Sequence, residues 1–269
     1  MTINPRRFIA PFATLVLTAA GQTLAMPMAV DLSTWKVDGS GNWTLAPDNN
    51  SVNQSLNSRP TVFFNDTDSQ GTALSGLISQ GPGGGDDDFF GFVLGYDDGD
   101  LFGDNPSTDY ILVDWKAGTQ GGWDAGMAIS RVTGSIDTGG TNTAADAWDH
   151  VGNVEFLERA ATLGNTGWET NTEYLFDISF QPDNIQVSVD GAQQFDINGT
   201  FENGSFGFYN FSQPNVNYLG IGETVLPPSC GEPGQPPCNP PPPTNSVPAP
   251  ATLALMAVGL LGLRLRRRT

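Results

Sequence analysis

Residues 86–115 read DDDFFGFVLGYDDGDLFGDNPSTDYILVDW. Two short runs, Phe89 to Tyr96 and Asp109 to Lys116, are rich in aromatic and β-branched residues and are separated by turn formers, a pattern that predicts paired strands. The first run is apolar on both faces, with Gly91 and Gly95 on one of them, so it belongs in the middle of a sheet with bulky neighbours over the glycines. Carboxylates crowd both mouths of that strand. Three in a row at Asp86 to Asp88 repel one another unless water solvates them or a cation is shared between them.

The same grammar extends in both directions. Thr61 to Phe64, Thr72 to Ser79 and Gly126 to Val132 have strand length and flanking Gly, Asn, Asp or Pro. A second series runs Glu173 to Phe180, Asn184 to Val189, Gln193 to Ile197, Ser205 to Phe211 and Val216 to Ile221. Asp190-Gly191 marks a hairpin, since such turns need positive φ. Only Ala144 to Ala161 reads as helix-like, and ambiguously. Short strands without alternating helices predict an all-β, antiparallel sandwich of two stacked sheets rather than an α/β sheet, formed as one domain over residues 26–225.

Both ends differ from this body. Arg6 and Arg7 precede an apolar run from Phe8 to Ala20, and small residues follow, so residues 1–25 read as a cleaved secretory signal, a retained anchor being the other reading. Residues 226–246 form a Pro-rich spacer that includes Pro240 to Pro243. Residues 247–269 combine an apolar stretch with Arg264, Arg266, Arg267 and Arg268, as a short hydrophobic helix held at a membrane by a basic end does. In the spacer, Cys230 and Cys238 suit a local disulfide loop in an oxidising compartment, and two thiols with one remote histidine make a poor zinc site.

The formal charge of the whole chain is −18. All 29 acids lie between Asp31 and Glu232, where Lys36, Arg59, Lys116, Arg131 and Arg159 are the only five bases, so this part carries −24. Such a field disfavours nucleic acid and anionic lipid as partners and attracts divalent cations; solubility is the other reading of the same acidity.

Calcium takes six to eight oxygens at about 2.4 Å. Asp86, Asp87 and Asp88 offer one supply. Asp97, Asp98, Asp100, Asp104 and Asp109 offer another, in a compact Gly-containing loop. Eight extended residues at about 3.3 Å each put the two groups at opposite ends of one strand, beyond any single ion, so they are two candidate sites. His150, beside Trp148 and Asp149, reads as a structural histidine. Trp123 and Trp168 are candidates for stacking on sugar rings or for burial in the core. Catalysis is not expected. Glu155 and Glu158 are three apart and Glu169 and Glu173 four, neither being strand spacing for a carboxylate pair, and Gly83-Gly84-Gly85 lacks the lysine and helix of a phosphate loop.

Several separated motifs together resemble the thrombospondin C-terminal domain. They are Asn42-Trp43, Asp86 through Tyr96, Asp109-Tyr110 through Trp115-Lys116, Thr119-Gln120 with Trp123-Asp124, Ala147-Trp148 with His150, Gly167-Trp168, Tyr174, and Gly204 through Phe211-Ser212-Gln213. The resemblance covers roughly Asp31 to Gly222 and implies a lectin-like jelly-roll sandwich associated with calcium (Ca2+), cell adhesion and matrix contacts. The segment Asp97 to Ser107 is longer and more acidic than the family pattern. The end, SVPAPATLALMAVGLLGLRLRRRT, resembles the PEP-CTERM sorting signal of Gram-negative bacteria, with Pro248-Ala249-Pro250 in place of Pro-Glu-Pro. That implies export, transient anchoring in the inner membrane, processing by an exosortase-type enzyme, and delivery to the outer surface or extracellular polymer. The expected partners are therefore extracellular polysaccharide or a cell-surface protein. A structural matrix component without a specific ligand and a glycan-cleaving enzyme are the other readings.

Overall fold

A computed structural model describes residues 26–83, 86–103, 105–120, 122–136 and 144–227. The first strands in chain order are β1 (Met28–Ala29), β2 (Lys36–Gly39), β3 (Trp43–Leu45), β4 (Val52–Gln54), β5 (Thr61–Phe64) and β6 (Thr72–Gln80). The acidic stretch supplies β7 (Phe89–Tyr96) and β8 (Tyr110–Lys116), followed by β9 (Gly126–Val132), a single-turn helix α1 (Ala144–Asp149) and β10 (Val154–Arg159). The remainder is β11 (Glu173–Phe180), β12 (Asn184–Val189), β13 (Ala192–Asn198), β14 (Ser205–Phe211) and β15 (Val216–Val225).

Two antiparallel sheets stack as expected. One has eight strands in the order β13-β12-β11-β6-β15-β4-β3, with β1 also paired to β15; the other has seven, β10-β9-β8-β7-β14-β5-β2. Strand β7 sits at the centre of the seven-stranded sheet, between β8 and β14, and every one of its residues is buried. Alternation sends Phe90, Phe92 and Leu94 into the core between the sheets, where the Phe92 ring lies 4.6 Å from that of Phe176. Phe89, Val93 and Tyr96 join a second apolar cluster with Leu101, Ile136 and Ala147, which loops and α1 supply.

The inner strands of the seven-stranded sheet are thus covered on both faces, while its edge strands β2 and β10 stay largely open. The partner sheet is not covered in this way: along β11 buried and open positions alternate, with Phe176, Ile178 and Phe180 inward and Leu175 and Asp177 outward.

Gly91 is required for a reason other than bulky side chains above it. A Cβ there would run into the carbonyl oxygen of Val113 on β8, and at Gly95, with φ +73°, into that of Glu202. The glycines admit backbone rather than side chain. The Asp190-Gly191 hairpin forms as expected, both residues at positive φ (51° and 75°). The helix-like stretch from Ala144 splits: after Asp149, His150 (φ 52°) and Gly152 (φ 62°) reverse the chain and the rest becomes the edge strand β10. Residues 1–25, 228–246 and 247–269, with Cys230 and Cys238, lie outside the described residues. Among the described residues no helix is long and apolar enough to cross a membrane.

Candidate metal centre at Asp86–Asp88

The chain enters β7 through the three aspartates, and the other loops at that end of the sheet close around them. One carboxylate oxygen from each of Asp86, Asp87 and Asp88 lies within 4.8 Å of the other two. Among the described residues this is the group of three acidic, His or Cys side chains that converges in this way.

The backbone of the triplet is pinned. The Asp88 amide donates to the Gln213 side-chain oxygen at 2.9 Å, and the Trp168 indole N–H donates to the Asp88 carbonyl at 3.1 Å. The Asp87 carbonyl accepts from the amides of Ala117 and Gly118, at 3.0 and 3.3 Å. The Gln120 amide donates to Asp88 Oδ1 at 3.1 Å, Asn57 donates to Asp86 Oδ2, and Ser212 donates to Asn57 Oδ1 at 3.2 Å. Two glycines make room: a Cβ on Gly118 would collide with the Asp87 carboxylate, and one on Gly167 with the backbone of Ala117. A tightly hydrogen-bonded frame therefore holds three like charges together, the reverse of what unassisted electrostatics favours.

Asp88 bears most of that conflict. It is 3 % exposed, and burial pushes its carboxyl up to about 6; hydrogen bonds from Ser212 and Gln120 oppose the rise, and neighbouring Asp86 adds to it. Lys116 is the nearby cation. It is buried, with Nζ 4.0 Å from the Trp148 ring centre and 4.9 Å from that of Phe89, and it donates to the Gln120 carbonyl at 3.4 Å. Burial holds its ammonium below the usual lysine range, against the pull of Asp88, Asp87, Asp114 and Asp149. Three carboxylates facing one desolvated ammonium leave an excess of hard oxygen donors, which suits a divalent cation of the calcium type.

The second group of acids is arranged otherwise. Asp100 points inward, where its carboxylate accepts from the Asp97 amide (2.9 Å), Asn105 Nδ2 (2.8 Å) and Thr108 Oγ1 (3.0 Å), and so ties its own loop together. Asp98 lies 3.2 Å from Lys36 Nζ, and Asp109 takes two bonds from Arg131, at 2.6 and 2.5 Å. The Asp97 carboxyl is raised by burial, then by Asp100. Asp104 lies outside the described residues.

Neither tryptophan presents a free ring face at the aspartates. Trp168, 5 % exposed, packs 5.1 Å from Phe90 and uses its indole N–H to hold Asp88. Trp123 stacks on His150 at 3.7 Å, with the Arg159 guanidinium 4.2 Å from its ring. His150 is buried and its Nε2 lies 2.7 Å from Asp114 Oδ2, a structural pairing on the covered face of the sheet.

Asn57, Gln120, Ser212 and Gln213 do not announce themselves as ligands or supports by residue type. Their signal was positional: Thr119-Gln120, Gly167-Trp168 and Ser212-Gln213 are three of the separated motifs, and all three meet at the triplet.

Known proteins place this frame. Residues 38–222 match the family described as the thrombospondin C-terminal region, and residues 246–268 match the PEP-CTERM protein-sorting motif of exported proteins. Cartilage oligomeric matrix protein of Homo sapiens is 25 % identical over 204 residues, covering 67 % of this chain and 25 % of its own length. Thrombospondin-2 of Gallus gallus is 26 % identical over 198 residues, covering 66 % of this chain. The chain spans 16 % to 25 % of these relatives. Among solved structures, the carbohydrate binding module CBM66 from Bacillus subtilis superposes with a TM-score of 0.50 at 10 % identity, over 71 % of this chain and 94 % of that one, a likeness of fold. With a two-sheet sandwich whose motif residues converge on one acidic loop and a family match over most of its length, the chain belongs to the thrombospondin C-terminal family, and it ends in a PEP-CTERM sorting motif.

Proposed function

We propose that this protein is an exported, non-enzymatic adhesion module that binds calcium through Asp86, Asp87 and Asp88 and contacts extracellular polysaccharide or a cell-surface protein. The observation that carries the reading is the convergence of Gln120, Trp168 and Gln213 on the aspartate triplet. A frame of that kind holds charges in place that would otherwise separate, and a bound cation gives the arrangement its energetic reason. Calcium would neutralise the triplet and fasten together loops from four separate parts of the chain. The sorting motif fits processing by an exosortase-type enzyme, with the apolar tail as a temporary inner-membrane anchor and the outer surface or extracellular matrix as destination. The thrombospondin and cartilage matrix relatives are in keeping with matrix contact.

Thermal melting and calorimetry with added calcium test it. At a calcium concentration about a hundredfold above Kd, linkage adds about 2.7 kcal/mol, which for a domain of this size raises the melting temperature by about 5–10 °C. Asp88→Asn should abolish both the heat and the shift. A melting curve indifferent to calcium and to chelator would overturn the metal part of the proposal.

A further inference from the structure

The outward face of the eight-stranded sheet carries a depression of about 370 Å³. Its floor is formed by Asp177 and Ser179 of β11 with Gln186 and Ser188 of β12, and Leu226 and Pro227, where the chain leaves β15, form one wall. The register sets Ser188 directly across from Asp177 and Gln186 across from Ser179, with Ser75 of β6 on the other flank of Asp177. Side chains so paired stand about 5 Å apart, so a carboxylate and small hydroxyls share one patch.

That patch is chemically unspent. Among the described residues, the side chains of Asp177, Ser179 and Ser188 make no hydrogen bond or ion pair, their backbones being paired in the sheet. The nearby Asp196 does, accepting from Asn184 at 2.8 Å and Gln186 at 3.4 Å. Burial alone, with no compensating partner, raises the Asp177 carboxyl. Two other open depressions differ. One, beside Pro27 and Leu219, is largely apolar, and one, beside Asp97, Asp109 and Glu202, is rimmed by acids. Here hydroxyl, carboxamide and a single carboxylate are mixed, in a volume within the range of about 300–1,000 Å³ that small ligands occupy.

The lining selects a class of ligand. An unpaired carboxylate accepts from adjacent hydroxyl groups, serine and glutamine both donate and accept, and a floor of short side chains lets a ring lie close to the sheet. No basic side chain lines the depression, and the surrounding charge of −24 repels uronate or sulfate polymers. We propose that this depression is a subsite for a neutral hexose unit of an extracellular polysaccharide, with Asp177 accepting from vicinal sugar hydroxyls. The proposal rests on the matrix-binding reading and puts the sugar on the sheet opposite the aspartate triplet. With no aromatic ring in the lining, one sugar binds weakly, and repeated units along a polymer supply avidity.

The test uses the full-length chain in a zwitterionic detergent, with calcium present, titrated with maltohexaose, laminarihexaose, mannohexaose and polygalacturonate. At least one neutral hexasaccharide should bind and polygalacturonate should not. Ser188→Trp, which fills the floor, and Asp177→Asn, which halves the acceptor capacity, should each weaken that binding about tenfold or more, with no loss of thermal stability because both side chains lie outside the core. Affinity untouched in both variants, affinity lost in Asp88→Asn but kept in Ser188→Trp, or no neutral sugar bound would each overturn the subsite. Retention of the wild-type chain on crude extracellular polymer tests the broader reading: retention with unaffected variants sinks the subsite alone, and no retention sinks both.

Discussion

Asp88 is where one side chain is asked for two incompatible things, burial and charge. Its carboxyl sits at about 6, above the ordinary aspartate value of 3.8, so between those values the folded state holds more proton than the unfolded one. Stability of the calcium-free protein should therefore rise as pH falls from about 7 to 4, through this group, and calcium should reverse that slope because it needs the ionised form. Melting curves at several pH values, with and without chelator, check the sign. In the Asp88→Asn variant both the slope from this group and its calcium dependence should be gone. The triplet was legible because consecutive carboxylates are conspicuous in any sequence. Its supports were not, since Asn57, Gln120, Ser212 and Gln213 are chemically ordinary and come together only when distant loops close. The acids after β7 were equally conspicuous, yet their direction depends on the turns at Gly99 (φ 91°) and Gly103 (φ 74°), which turn Asp100 inward as the knot of its own loop.

Strand β7 shows how much an element can be constrained from both sides. Phe92 is 3 % exposed and packs against Phe176, Phe208 and Tyr218. Phe92→Ala should cost about 3–5 kcal/mol in chemical denaturation. Gly91→Ala, though it adds one carbon, should cost about 1–3 kcal/mol because the obstacle is the Val113 carbonyl, which cannot rotate away. Strands of this kind were readable almost to the residue: β9, β11, β12 and β14 have the expected bounds, because a strict two-residue alternation or a continuous apolar run leaves little freedom of register. Strands β1 to β4 were missed. They are two to four residues long, lie at sheet edges or beside them, and carry too few side chains for a periodic signal. The helix-like stretch misled for a similar reason: the positive φ at His150 and Gly152, which ends α1, is a backbone event that composition hardly registers.

At the scale of the molecule, charge and layering set the remaining behaviour. The stretch from Asp31 to Glu232, with five bases against 29 acids, repels itself, so raising sodium chloride from about 0.05 to 0.5 M should raise the melting temperature of the calcium-free protein, as screening shortens the reach of that repulsion. A fall in stability over that range would mean that specific ion pairs, such as Arg131 with Asp109, outweigh the general field. The layering has a longer consequence. Because the inner strands of the seven-stranded sheet are packed on both faces while the other sheet turns alternate side chains to water, substitutions are tolerated very unequally. A change on β7 or β8 touches a core whichever way the residue points, whereas one at Asp177, Ser179 or Gln186 touches none. Mutation can therefore redraw one side of the domain while the other stands still, and descendants of this chain can diverge in what they recognise without having to refold.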